Sequence, residues 1–285
     1  MLSLHFETTM HFYIQLANEQ KLPLSEVFLQ QEVQESGKPR DILREHMRQR
    51  ILIMEKSIAE GITAPQHSKS GYIKGGAYQL NQWQSQNRSL LGTGFGRLLV
   101  NAIAVPEVNA CMGKIVAAPT AGSCGVLPAV IFTIANEWNI EAEPVINAFF
   151  TAGGIGMVIE KNATLSGAQG GCQAEIGSAS AMAAGAVVEM MGGTPEQVDH
   201  AVAFALKNLL GLICDPVGGL VEIPCVKRNA LGAVNAVAAA EMALAGLDSI
   251  FTADQVIETM GRVGKKIPEE FRETAAGGLA GLPRP

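Results

Sequence analysis

Three cysteines carry the chemistry this sequence could do. Cys172, Cys214 and Cys225 sit in GAQGGCQAEIGSASAM, LGLICDP and EIPCVKRNA, each at glycine or proline punctuation where a thiol can leave a helix end and face a shared cavity. A cluster of iron and sulfide is normally held by four thiolates, so three leave one iron open to bind a substrate and act as a Lewis acid. The alternative is structural: a free cysteine is among the most buried residue types, and this spacing lacks the CxxC signature of common metal modules. On spacing alone both readings stand.

Other segments offer partners for such a centre. The turn PTAGSCG, Pro119 to Gly125, supplies hydroxyls at Thr120 and Ser123 and a backbone flanked by glycine, Gly125 included, whose N–H groups could cradle an anion. It reads equally as an ordinary capped helix start. In KNATLSGAQGGC, Asn162, Thr164, Ser166 and Gly167 lead into Cys172 and could line its pocket, or form a solvated loop. Lys227 and Arg228 follow Cys225 and could hold a carboxylate or offset thiolate charge, or belong to the surface. Glu175, Glu189, Glu222 and Glu241 are acids in apolar stretches, open to acid–base work or to pairing. Asp215, before Pro216, reads as a turn residue. Among the histidines, His5, His11 and His46 fall in the front segment and His200 inside a later helix, leaving His67 in a glycine-rich loop as the candidate base. Cys111 reads as structural, while Cys124, inside the PTAGSCG turn, is open to ligand, reactive or filling roles.

These segments, with EVNACMGKIVAAPTAGSCGVLPAV, GGTPEQ and the closing RETAAGGLAGLP, resemble the α chain of the two-subunit bacterial L-serine dehydratases, the iron–sulfur type, from about Gly71 to Pro283. The resemblance implies a 4Fe-4S cluster on Cys172, Cys214 and Cys225, substrate contacts from the PTAGSCG turn, and dehydration of L-serine through an enamine to pyruvate and ammonia. It also implies a β-subunit partner, because the SHT motif of the family's active site belongs to the β portion and no SHT occurs here. Two departures stand out. Lys74, Gly75, Gly76 and Ala77 replace the family's TGGD, and no cysteine-bearing tail precedes Pro285. A desulfidase acting on L-cysteine and a catalytically silent, cluster-binding scaffold are the alternatives.

The elements that must position these residues are helical. The chain has 285 residues, 48% hydrophobic and 17% charged, with a formal charge of -6, which describes a well-cored protein with no nucleic-acid character. Five cysteines, and a front end with His5, Glu7 and His11 in place of a basic start and apolar core, point to reduced thiols and the cytoplasm. Leu43, Met47, Ile51, Met54 and Ile58 recur at three- and four-residue steps, which predicts an amphipathic helix stopped by Gly61 and suited to docking a β subunit or a second copy of the chain. Residues 62–88, rich in glycine, serine and glutamine, read as a linker or active-site loop between a front segment, 1–61, and a cluster-binding domain, 89–285. Thr194 with Gln197, and Thr252 with Gln255, form capping boxes. SASAMAAGAVVEMM and ALGAVNAVAAAEMALAG are small-residue helices that can pack closely. The charge-free run from Ile115 to Asn136 is broken by Pro119, Gly122, Gly125 and Pro128 and so predicts a turn and a helix start, with no membrane role. The fold expected is an all-α bundle of small-residue-rich helices.

Overall fold

The computed structural model describes residues 8–283, so His5 and Pro285 lie outside the described residues. The chain forms α1 (Met10–Gln20), α2 (Leu24–Ser36), α3 (Arg40–Thr63), α4 (Gly76–Ser85), α5 (Thr93–Ala110), α6 (Val126–Glu137), α7 (Ala142–Asn162), the short α8 (Gly167–Gly170), α9 (Ser178–Met190), α10 (Pro195–Asn208), α11 (Cys225–Leu244) and α12 (Ala253–Lys266). No β-strand occurs among the described residues, where isolated bridges join His67 to Lys74 and Cys214 to Arg272. The all-α expectation holds.

α9 is the axis of the bundle. Every residue from Ser178 to Val188 is buried, and α6, α7, α10 and α11 pack around it. Its alanines, serines and glycine let neighbouring backbones approach, so a helix buried on all sides needs no large side chains to fill its surroundings. α5 is a second hub, between α3, α4, α6 and α11. α7, at 21 residues, is long and apolar enough by composition to cross a membrane, yet 61% of its most apolar window is buried inside the bundle.

Local signals in the sequence are met where they depend on nearest neighbours. The Gln197 N–H donates to Thr194 Oγ1 at 3.3 Å while Thr194 N–H donates to Gln197 Oε1 at 2.9 Å, and Thr252 with Gln255 repeats the arrangement. Leu43, Ile51, Met54 and Ile58 form the buried face of α3. Gly61 does not stop that helix, which continues to Thr63. A Cβ at Gly61 would lie 2.7 Å from the Ala104 carbonyl oxygen, so this glycine serves the close approach of α3 to α5 and not termination. Within residues 62–88 the structure places α4, whose first N–H groups, from Gly76 and Ala77, donate to the buried Glu107 carboxylate at 2.8 and 3.0 Å. The loop before α4 is tied down too: Ser68 and Ser70 donate to Glu222, three residues ahead of Cys225. The run from Ile115 opens through a turn and a single 3-10 turn (Ala121–Ser123) into α6, as expected.

Candidate cysteine-lined active site

The three cysteines occupy three kinds of helix boundary. Cys172 precedes a π-helical turn (Gln173–Gly177) that runs into α9, Cys214 lies in the extended link after α10, and Cys225 is the first residue of α11. π-turns inside helices recur at functional sites. Gly171, at φ 77°, turns the chain into Cys172 and lies so near the 212–213 backbone that a Cβ would stand 2.9 Å from the Leu212 carbonyl oxygen. All three thiols are buried, at 2%, 2% and 6% exposure.

Cys172, Cys214 and Cys225 lie near enough for each thiol to influence the protonation of a neighbour. Between them stands Glu175, whose Oε2 accepts from Cys214 Sγ at 3.8 Å and whose Oε1 accepts from Thr120 Oγ1 at 2.7 Å. Two glycines close on this carboxylate: a Cβ at Gly167 would lie 2.7 Å from Oε2, and one at Gly122 3.2 Å from Oε1. Any larger residue at 167 displaces the acid.

Burial and proximity set the three thiols apart. The neighbouring Cys214 holds the Cys172 thiol below its ordinary range against the cost of burial, with Arg228 helping. The neighbouring Cys172, followed by burial, pushes Cys214 far up, and burial, reinforced by Cys172 and Glu175, pushes Cys225 up to about 12. Burial also raises Glu175, opposed by the Thr120 hydroxyl. The trio therefore favours one thiolate, and a bound metal cation would reverse that order by deprotonating all its ligands. Among the described residues no three His, Cys, Asp or Glu side chains are placed to hold a single metal ion. Thiolates of a cluster each take a different iron, so the donor set fits a cluster better than a lone ion.

The PTAGSCG turn is part of the same centre. Asn229, fully buried one turn past Cys225, accepts from the Gly125 N–H at 2.8 Å and donates to the carbonyls of Gly122 and Cys225 at 2.8 and 2.9 Å. Gly125 admits no side chain, since a Cβ would lie 2.2 Å from the Ala102 carbonyl oxygen. Thr120 and Ser123 close their own capping box, with hydroxyl oxygens 3.1 Å apart.

A family model described as serine dehydratase alpha chain matches residues 19–280. The chain belongs to that family. It is 46% identical over 270 residues to a probable L-serine dehydratase alpha chain of Bacillus subtilis, covering 95% of this chain and 90% of the relative. To the L-serine dehydratase alpha chain of Peptoniphilus asaccharolyticus it is 42% identical over 268 residues, covering 94% and 92%. To an L-serine dehydratase of Streptomyces coelicolor it is 39% identical over 275 residues, covering 94% of this chain but 59% of the relative.

Within this family member the remaining candidate residues divide. Ser166 precedes α8, beside Gly167 on the Glu175 carboxylate. Asn162 ends α7, donating to the Thr8 and Val158 carbonyls at 2.6 and 2.8 Å, and lines a cavity of about 230 Å³ with Thr164, Gln169 and Arg262. Lys227 is exposed, while its neighbour Arg228 donates to the Ile213 carbonyl at 2.8 Å and pairs with Asp215 at 2.8 Å. Asp215 is thus more than a turn residue. His67 is exposed, its Nδ1 3.1 Å from the Pro65 carbonyl oxygen. Glu189 accepts from the Ser25 N–H, and Glu241 is exposed. Cys124 is fully buried and burial raises its thiol to about 12, which suits packing. Ala77, where the TGGD acid is absent, is buried with its N–H on Glu107, so an acid there would be brought beside a second carboxylate.

Sequence reasoning passed over Asn229 and did not single out Glu175 and Arg228 from their neighbours. A signal existed. Glu175 is three residues from Cys172, and Arg228 and Asn229 are three and four from Cys225, the spacings that share a helix face.

Proposed function

We propose that this chain is the α subunit of an L-serine dehydratase that converts L-serine to pyruvate and ammonia, with Cys172, Cys214 and Cys225 holding a 4Fe-4S cluster and a β subunit completing the site. The observation that carries the reading is the meeting of three buried cysteines with Glu175 and the Thr120–Gly125 turn, in a chain of the serine dehydratase alpha-chain family. When bound, the cluster supplies Lewis-acid activation of the substrate hydroxyl.

The chain's own residues do the positioning. Thr120 is fixed by Glu175, and Asn229 holds the turn against α11, so the turn that carries Thr120 and the fully buried Ser123 is held rigidly beside the cysteines. Burial of the acid and thiols keeps water away from the reacting groups. Overall, serine loses its α-proton and hydroxide as one water, and the resulting enamine tautomerises to an imine. Hydrolysis of the imine takes up one water and releases ammonia. His67 is exposed with its Nδ1 on the Pro65 carbonyl, which supports a base supplied by the β subunit. Thiols needed as ligands require a reducing compartment, consistent with the cytoplasm.

The test is iron and sulfide content after anaerobic reconstitution, followed by pyruvate formation with the β chain. About four irons per chain and turnover of L-serine support the reading. A chain that takes up no cluster, or one that turns over L-cysteine in preference to L-serine, contradicts it.

A further inference from the structure

Arg228 touches all three cysteine segments. It lies one turn beyond Cys225 on α11, donates from Nη1 to the carbonyl of Ile213 at 2.8 Å, and pairs through Nη2 with Asp215 at 2.8 Å. Ile213 and Asp215 flank Cys214. The same guanidinium lies close enough to Cys172 for its charge to act on that thiol. Asp215 is in turn fixed by the closing segment of the chain: Leu279 N–H donates to its Oδ2 at 2.9 Å, and Gly278 packs so tightly that a Cβ would lie 2.6 Å from that oxygen. The backbone of the same segment brackets Cys214, with Cys214 N–H donating to Phe271 O at 2.8 Å and Glu273 N–H to Cys214 O at 2.9 Å.

We propose that Arg228 is the positioning residue of the cysteine centre, setting the spacing of the three ligand segments and placing one fixed positive charge against the cluster they hold. The proposal rests on the cluster reading above. A guanidinium is planar, stays charged and presents several donors in a rigid fork, so it can join three strands of chain that a lysine ammonium can only approach at one point. Its charge stabilises the more negative, reduced state of a nearby cluster, so its removal lowers the midpoint potential. Geometry and charge are separable in two variants. Arg228→Lys keeps the charge and loses the fork, and Arg228→Gln loses both.

The experiment reconstitutes wild type, Arg228→Lys and Arg228→Gln anaerobically with iron and sulfide. It measures iron retention against a chelator and the midpoint potential of the cluster. Both variants should lose iron about tenfold more readily than wild type. Arg228→Gln should shift to a more negative potential, while Arg228→Lys stays near wild type. Asp215→Asn, which leaves the guanidinium in place, should weaken retention without moving the potential, and it replaces Arg228→Gln if that variant does not fold. Wild-type retention and potential in Arg228→Gln, or an unaltered retention in Asp215→Asn, overturns the proposal. A wild-type chain that binds no cluster overturns the function reading instead.

Discussion

Buried carboxylates serve two purposes in two regions of this molecule. In the helical frame the buried Glu107 and Asp199 and the half-buried Glu189 meet backbone N–H groups of a distant helix start: Glu107 receives α4, Glu189 receives α2 and Asp199 receives α12. Those N–H groups have no partner inside their own helices and carry the positive end of the dipole, so the acid and the helix end satisfy each other. At the cysteine end Glu175 meets a hydroxyl, a thiol and two bare glycines instead. The frame acids meet helix starts, and the acid of the cysteine centre meets groups of its own site. The difference separates groups that hold the fold from groups held by it.

Truncating one acid from each region tests this division most strongly. Glu175→Ala should lower turnover, measured with the β chain, by about 10- to 100-fold, as loss of a group supporting metal ligands does, with the smaller loss of thermal stability, because the Thr120 hydroxyl keeps Ser123 as a partner. Glu189→Ala should do the opposite. It leaves the buried Ser25 N–H unpaired and should cost about 1–3 kcal/mol in a denaturant titration, with turnover per folded molecule preserved. Equal stability losses in the two variants would erase the distinction.

Asp199 gives a pH signature of the frame. Burial raises its folded-state pKa to about 6, against about 3.9 unfolded, so between those values the folded state binds more protons. The sign is that stability from this group falls as pH rises from about 4 to about 6. Asp199→Asn should flatten that part of the melting-temperature profile, and parallel profiles would show that the acid does not titrate as placed. The smallest effect belongs to Thr252, whose helix is also received by Asp199. Thr252→Ala should cost about 0.5–1 kcal/mol, the low end for a lost cap, because a second acceptor remains at α12.

What was legible in the sequence follows the range of the interaction. The Thr194 and Thr252 boxes depend on residues three apart and were readable, as was the buried stripe of α3. Gly61 was misread because its reason is Ala104, on another helix. The cysteines were visible through their glycine and proline surroundings, and the PTAGSCG turn through its composition. Which of Lys227 and Arg228 faces inward was not, since both suit a surface and the choice depends on the rotation of α11 about its axis. Taking Cys225 as the inward reference would have settled it, for Arg228 and Asn229 share its face. The distant caps Glu107, Glu189 and Asp199 carry no local signal, because each acid and its helix start are joined only by folding.

The central claim is that the three cysteines act as one ligand set for serine dehydration. The most direct measurement is pyruvate formation from L-serine, with oxygen excluded, by the iron- and sulfide-reconstituted chain mixed with its β subunit, beside Cys172→Ala treated identically. Turnover is expected in the wild type, with loss of both turnover and cluster iron in the variant. Pyruvate formation that survives in Cys172→Ala, or a fully loaded wild-type complex that leaves L-serine untouched, would contradict it.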